Sequence, residues 1–340
     1  MPFKFTQRLS RHRIPLVACL WFLFITLAHL QMNGERDKRK TVKMGYMPVI
    51  TNLAAPILDK ASRQNGPIYY QAIKFSSFSE MGEALRNNSI DVAFMIAPLS
   101  IVLKQQGLDV KIVYIGNRHE STLVVKKGLQ HNDFSDLAGK TLAVPMRFSG
   151  HNILSLELRE KFGLTETMTI VEMNPPDMPA ALLSGGLDAY FVGEPFASST
   201  LFTKDAEVLF HVEDIEPDFI CNLMLVKNDF IINERSVVSR LVEGAARSGI
   251  WAQNNLEEAA VIASEYWNQP GEITRYALMN QSGRTVFHNF KPHENELQRL
   301  ADRMTRQEMI KTNDITGLVD DFFANEANLE NINGISTILR

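Results

Sequence analysis

The chain has 340 residues, a formal net charge of -4 at pH 7 and 45% hydrophobic residues. That length allows two ordinary domains or one large bilobal one. The mild acidity gives no basis for a nucleic-acid partner or for adsorption to an acidic membrane surface.

The first 40 residues differ in kind from the rest. Lys4, Arg8, Arg11 and Arg13 form a basic leader, residues 14–30 an almost unbroken apolar run, and residues 31–40 a polar, charged stop. This is the layout of a signal peptide or signal-anchor, with the leader in the cytoplasm and the remainder outside. The run, about 17 residues, is long for a cleaved signal and short for a membrane span. Thr26-Leu27-Ala28 is a passable cleavage site. The expected location is periplasmic or otherwise extracytoplasmic, with membrane attachment through this segment if it is retained. Cys19 lies in the leader, so Cys221 is the single cysteine of the remainder. An intramolecular disulfide there and a Cys-x-x-Cys zinc site are both excluded.

Beyond residue 40, strand and helix signals alternate. Strands are predicted over 41–47, 68–75, 90–95 and 110–115. Between them fall helices over 52–61 (capped by Thr51 or Asn52), 79–86 (capped by Ser79) and 98–106, with Pro98 near its first position. The pattern then restarts: a strand over 121–125, a helical turn over 134–138, a strand over 142–144 and a helix beginning near Ile153. A strand over 169–173, a helix over 177–184 and strands over 187–192 and 208–210 complete this second unit. A strand over 222–227 follows, then helices over 234–254, 256–266, 271–279, 292–308 and 314–325, and a loose tail from Asn331.

The expected architecture is α/β and two-lobed, each lobe a mixed, mostly parallel sheet flanked by helices, with extra helices at the carboxyl end. Lobe 1 would comprise residues 41–118 and 223–340 and lobe 2 residues 119–222, with hinge crossings near 117–122 and 218–225.

Ligands of open parallel sheets sit beyond the carboxyl ends of the strands, so a cleft between the lobes is the expected site. Four strand ends carry small or polar groups there: Pro48, Thr51 and Asn52; Ala97 and Ser100; Ser149, Gly150, His151 and Asn152; and Glu194. The third lies in residues 137–158, which read as a strand, a polar turn and a helix start capped by Ser149 or Asn152. The free N–H groups and positive dipole end of such a helix suit a small anion. Glu194 does not, unless it is protonated, bonded to Arg118 or Arg147, or shares a cation with the ligand.

Catalytic motifs are missing. Gly139-Lys140-Thr141 has the tail of a phosphate-binding loop, but Phe134 replaces the leading glycine and the segment precedes a strand. Ser149 lacks the glycine two residues earlier that a nucleophile elbow requires. His119-Glu120 could contribute to a metal site, but two residues do not make one.

Three segments carry a family resemblance: residues 137–158, with L-x-G-K-x-x-A-V-P and a Ser/Gly/His turn; residues 175–195, a helix followed by G-x-x-D-A-x-x-x-x-E-P; and Met44-Gly45-Tyr46-Met47-Pro48. Over roughly 42–267 the chain resembles the periplasmic substrate-binding proteins of ABC importers in the nitrate/sulfonate/taurine (NitT/TauT) group. The resemblance implies a type II periplasmic-binding-protein fold and a monomer that hands a small oxyanion or sulfonate-like solute to a membrane permease and its ATPase. It implies no cofactor and no catalysis. Carried onto this chain, it makes His151 and the turn at Ser149 ligand contacts, Glu194 a pocket residue, and the loops at 48–52 and 97–100 the facing wall. Asn152-Ile153-Leu154 stands where the nitrate and bicarbonate branch has aromatic and basic residues after its His, and Phe196 where that branch has a Trp after Glu-Pro. The alternatives are an enzyme on the same fold, desulfinase-like or pyrimidine-forming through Cys221 or a histidine, and a membrane-tethered solute sensor.

Overall fold

The computed structural model describes residues 15, 17–28, 39–64, 66–279, 284 and 286–339. Met1–Lys40 and Thr41–Arg340 form two compact units. In the first, residues 17–28 are helical and mostly exposed. The basic leader and most of the polar stop lie outside the described residues. Among the described residues, no helix is long and apolar enough to cross a membrane.

The larger unit is built on two five-stranded sheets. The first contains β1 (Lys40–Tyr46), β2 (Ile68–Lys74), β3 (Val92–Ile96), β4 (Val110–Ile115) and β10 (Asn222–Lys227), in the order β2-β1-β3-β10-β4. The second contains β5 (Ser121–Lys126), β6 (Thr141–Val144), β7 (Thr169–Glu172), β8 (Ala189–Gly193) and β9 (Ala206–His211), in the order β7-β6-β8-β5-β9. β1 is parallel to β3, and β6 is parallel to β7 and β8. The strands that enter from the other sheet run the opposite way: β5 is antiparallel to β8 and β9, and β10 to β3 and β4.

The helices are α1 (Ala54–Gln64), α2 (Phe78–Arg86), α3 (Ala97–Gln105), α4 (Gly150–Lys161), α5 (Met178–Leu183), α6 (Phe196–Phe202), α7 (Asn228–Asn233), α8 (Arg235–Asn254), α9 (Leu256–Trp267), α10 (Gly271–Met279), α11 (Glu294–Arg306) and α12 (Phe322–Asn325). α2 begins one residue earlier than predicted, so its cap is Ser77, which is extended and accepts from the Glu80 N–H, while Ser79 lies inside the helix. α4 begins at Gly150, three residues before the start predicted near Ile153, which settles the choice between the two candidate caps. Ser149 is the cap, its Oγ accepting from the Asn152 N–H at 3.1 Å. The helix predicted over 314–325 contracts to α12. Asp314 instead accepts from the Thr316 N–H at 2.9 Å, and Gly317 takes a left-handed φ of 68° that ends any helix there. α6 and α7 are short helices that the periodicity does not reveal.

One core lies between the first sheet and α1, α8 and α9, around Leu58, Leu241 and Trp251. A second runs without interruption from Met47, Ile96 and Ala97 of the first sheet's strand ends to Tyr190, Val192 and Phe196 of the second. Each large apolar side chain buried there contributes about 1.5–3 kcal/mol. The strand ends of the two sheets therefore face one another across a packed contact.

Candidate functional site

The chain crosses from the first sheet to the second between Ile115 and Ser121 and returns between His211 and Asn222. The crossings touch: Arg118 pairs with Ile220 as an isolated bridge, and the His119 N–H donates to the Phe219 carbonyl at 3.3 Å. His119 and Glu120 both have left-handed backbones, φ 70° and 68°. For residues with a Cβ each costs roughly 1–2 kcal/mol, so the surrounding contacts must hold them there.

Those contacts form a buried polar network. Asn222 Nδ2 donates to Thr51 Oγ1 at 2.8 Å and to Asn52 Oδ1 at 2.9 Å. Asn52 in turn donates to the Met47 carbonyl at 3.1 Å. The Cys221 thiol lies 3.8 Å from Asn222 Oδ1 and 3.9 Å from Ser121 Oγ, and Ser121 Oγ lies 2.9 Å from His151 Nε2. The His151 ring is wedged between Phe191 and Phe219, with centroids at 4.9 and 5.5 Å. Burial depresses its pKa to about 3, so the imidazole is neutral at physiological pH. Burial also pushes the Cys221 thiol up, which keeps it from being a thiolate nucleophile.

Glu194 joins the halves. Its carbonyl accepts from the Ile50 N–H at 2.9 Å. Its carboxylate accepts from Thr122 Oγ1 at 3.2 Å and from the Ser198 N–H at 2.7 Å. Neither cation predicted for it is its partner. Arg118 donates to Glu296 at 2.9 Å, to the Asp218 carbonyl at 3.1 Å and to the Asn289 carbonyl at 3.2 Å. Arg147 extends over the Phe148 ring, and its N–H donates to Glu172 at 2.6 Å. Arg284 is the cation near this acid, donating to Thr122 Oγ1 at 3.3 Å, to the Ser121 carbonyl at 3.1 Å and to Glu213.

The structure thus brings Thr51, Asn52, His151 and Glu194 onto one floor where the sheets meet. Pro48, Ala97 and Gly150 are buried as well. Ser100, Ser149 and Asn152 commit their side chains locally: Ser100 to the Ala97 carbonyl at 2.6 Å, Ser149 to the Met146 carbonyl at 2.7 Å and Asn152 to the Arg147 carbonyl at 2.9 Å. His119 and Glu120 diverge, His119 toward the Arg284 and Pro217 carbonyls and Glu120 toward the Glu194 N–H at 2.5 Å. Among the described residues, no group of three His, Cys, Asp or Glu side chains could hold a metal ion. Asn117, Glu120, Ser121, Thr122, Ser198 and Asn222 belong to this floor and are not read from sequence. The one signal was a polar Asn-Arg-His-Glu-Ser-Thr run opening an apolar strand.

A cavity of about 200 Å³ opens between the halves. Ser77, Phe78 and Ser79 at the start of α2 line one side, and Pro145, Met146, Glu172, Met173 and Asn174 beyond β6 and β7 line the other.

Comparison with solved structures agrees with this architecture. A ligand-binding component of an ABC-type import system from Staphylococcus aureus, solved with zinc bound, superposes with a TM-score of 0.76 at 21% identity, covering 86% of this chain and all of that one. In sequence, a putative aliphatic sulfonates-binding protein of Bacillus subtilis is 23% identical over 257 residues, 73% of this chain and 76% of that protein. A taurine-binding periplasmic protein of Escherichia coli is 26% identical over 215 residues, 61% and 62% of the respective lengths. The NMT1-like family profile matches residues 35–265, a span that takes in both sheets and the whole polar floor between them, and the chain belongs to that family.

Proposed function

We propose that this chain is the extracytoplasmic solute-binding component of an ABC importer. It would close two lobes about a small oxyanion or sulfonate-like solute and deliver it to a permease and its ATPase, without turnover. The hinge would be the paired crossings at 116–120 and 212–221. The sulfonate- and taurine-binding relatives and the import-system neighbour support this reading.

The observation that carries it is the set of unsatisfied groups at the meeting of the halves. Both amide atoms of Asn117, Oε1 of Glu120, Nδ1 of His151 and Oγ of Ser198 are buried without a hydrogen-bond partner. Leaving such a group unpaired costs about 1–3 kcal/mol, and a polar guest at the floor would recover part of that. The 200 Å³ cavity between Ser77–Ser79 and the ends of β6 and β7 gives a small solute room between the lobes. His151 would serve a bound anion through a neutral N–H, and the start of α4 through its backbone N–H groups.

The test is thermal unfolding of the purified protein against nitrate, bicarbonate, taurine, alkanesulfonates and pyrimidines, with mass spectrometry of any co-purified solute. A dose-dependent rise in Tm with one of the anions or zwitterions is expected. Absence of any stabilisation, with no co-purified solute, would overturn the proposal.

A further inference from the structure

A cavity of about 240 Å³ lies between the start of β2, α8 and the end of the chain. It shares no lining residue with the floor or with the 200 Å³ cavity. Ile68, which begins β2, forms one wall. The floor lies past the opposite ends of the strands, where the Phe75 N–H just after β2 donates to the Tyr46 carbonyl of β1 at 2.9 Å. The cavity is smaller than the roughly 300–1,000 Å³ of pockets for drug-sized ligands and suits a molecule of amino-acid size.

The tail that forms a second wall is held in place, where the sequence predicts a loose end. Arg247 of α8 is buried and donates to the carbonyls of Asn328, Glu330, Thr337 and Ile338 at 2.7–3.1 Å. Gly244 lets Leu339 close on the helix, since a Cβ there would lie 3.0 Å from Leu339 Cδ2. Ile68, Ile338 and Leu339 therefore give the cavity a fixed apolar lining.

Its polar groups are of both signs. Arg240 and Glu243 line it from α8, three residues apart and so neighbours on one face of the helix. Opposite charges at that spacing commonly pair with one another. Here, among the described residues, neither side chain has an ion-pair or hydrogen-bond partner. Tyr70, 2% exposed, also lines the cavity, and its hydroxyl is buried without a hydrogen-bond partner. Arg240 is the charge that acts on it, and burial keeps the phenol protonated, hence a donor.

We propose that this cavity is a second ligand site and takes a free apolar α-amino acid. Arg240 and Tyr70 hold the carboxylate, Glu243 holds the ammonium, and the side chain lies against Ile68, Ile338 and Leu339. A simple anion would leave Glu243 unanswered, and a simple amine would leave Arg240 and Tyr70 so. The site does not depend on which solute the cleft binds.

The experiment is calorimetric titration of the full chain with L-leucine, L-methionine and L-phenylalanine. 4-Methylpentanoic acid and isoamylamine, which are leucine without its ammonium and without its carboxylate, serve as comparisons. One-to-one binding of at least one amino acid is expected, with neither comparison compound binding as well. Arg240→Ala and Glu243→Gln should each weaken that binding about tenfold or more. If one variant does not fold, the other decides. An amino acid taken up instead in the cleft between the lobes would bind both variants as it binds the wild type, and that result overturns the proposal. Equal binding of either comparison compound overturns it too, as does the absence of binding by all three amino acids at about 10 mM.

Discussion

Arg303 of α11 grips Glu157 of α4 with two hydrogen bonds, Nε to Oε1 at 2.9 Å and Nη2 to Oε2 at 2.6 Å. Its remaining nitrogen reaches Glu216 at 2.8 Å. α11 packs against α3 beside the first sheet, whereas α4 flanks the second, so this fork ties the halves together away from the floor. All three side chains are partly screened from water, which gives the fork more weight than an exposed pair. Arg303→Ala is expected to cost about 1–3 kcal/mol. It should also increase the radius of gyration in small-angle scattering. Lowered stability with an unchanged radius would mean that the fork serves stability alone.

Gly116 marks the tightest approach at the first crossing. A Cβ there would lie 2.1 Å from the Thr51 carbonyl oxygen and 3.3 Å from that of Asn222. Both obstacles are backbone, so neither can rotate away. Gly116→Ala should destabilise by about 3 kcal/mol or more and abolish solute-dependent stabilisation, read by denaturant titration and thermal shift.

His151 gives an acid limit. Its folded pKa of about 3 lies below the ordinary 6.5. The unfolded chain therefore takes up a proton on this residue that the native state refuses. The stability this gives is present above pH 6.5 and is lost as pH falls toward 3. His151→Gln should flatten the decline of Tm between pH 6.5 and 4, and an unchanged slope would mean that the acid sensitivity arises elsewhere.

Cys221 should be inert to thiol reagents in the native protein and fully reactive in denaturant, because its sulfur is buried and its thiol is held protonated. Peptide mapping separates it from the exposed Cys19. Rapid native labelling at Cys221 would show that the crossings open readily.

The readable parts of this molecule were those whose cause is local. Ser149 could be identified as a cap because the cap, the turn and the apolar helix positions lie within a few residues of one another. The β-α alternation emerged for the same reason. α6 and α7 did not, since six or seven residues give too little period to detect. Glu194 was picked out by its motif, but its intended cations were not its partners: Arg118, four residues from Thr122, turns instead to Glu296 near the carboxyl end. Glu120 was visible only as part of a polar run and as half of a metal pair with His119, since its burial depends on Gly193 and Glu194, more than seventy residues away.

Strand order has a consequence for how this protein comes off the ribosome. β10 completes the first sheet from its interior, between β3 and β4, yet it follows every strand of the second sheet in the chain. During synthesis, the half begun first must wait with two bare edges until the half begun later has been made. The second sheet, whose strands are contiguous in sequence, is free to finish first. A chain truncated before Asn222 would therefore leave the later-born half assembled and the earlier-born one unable to close.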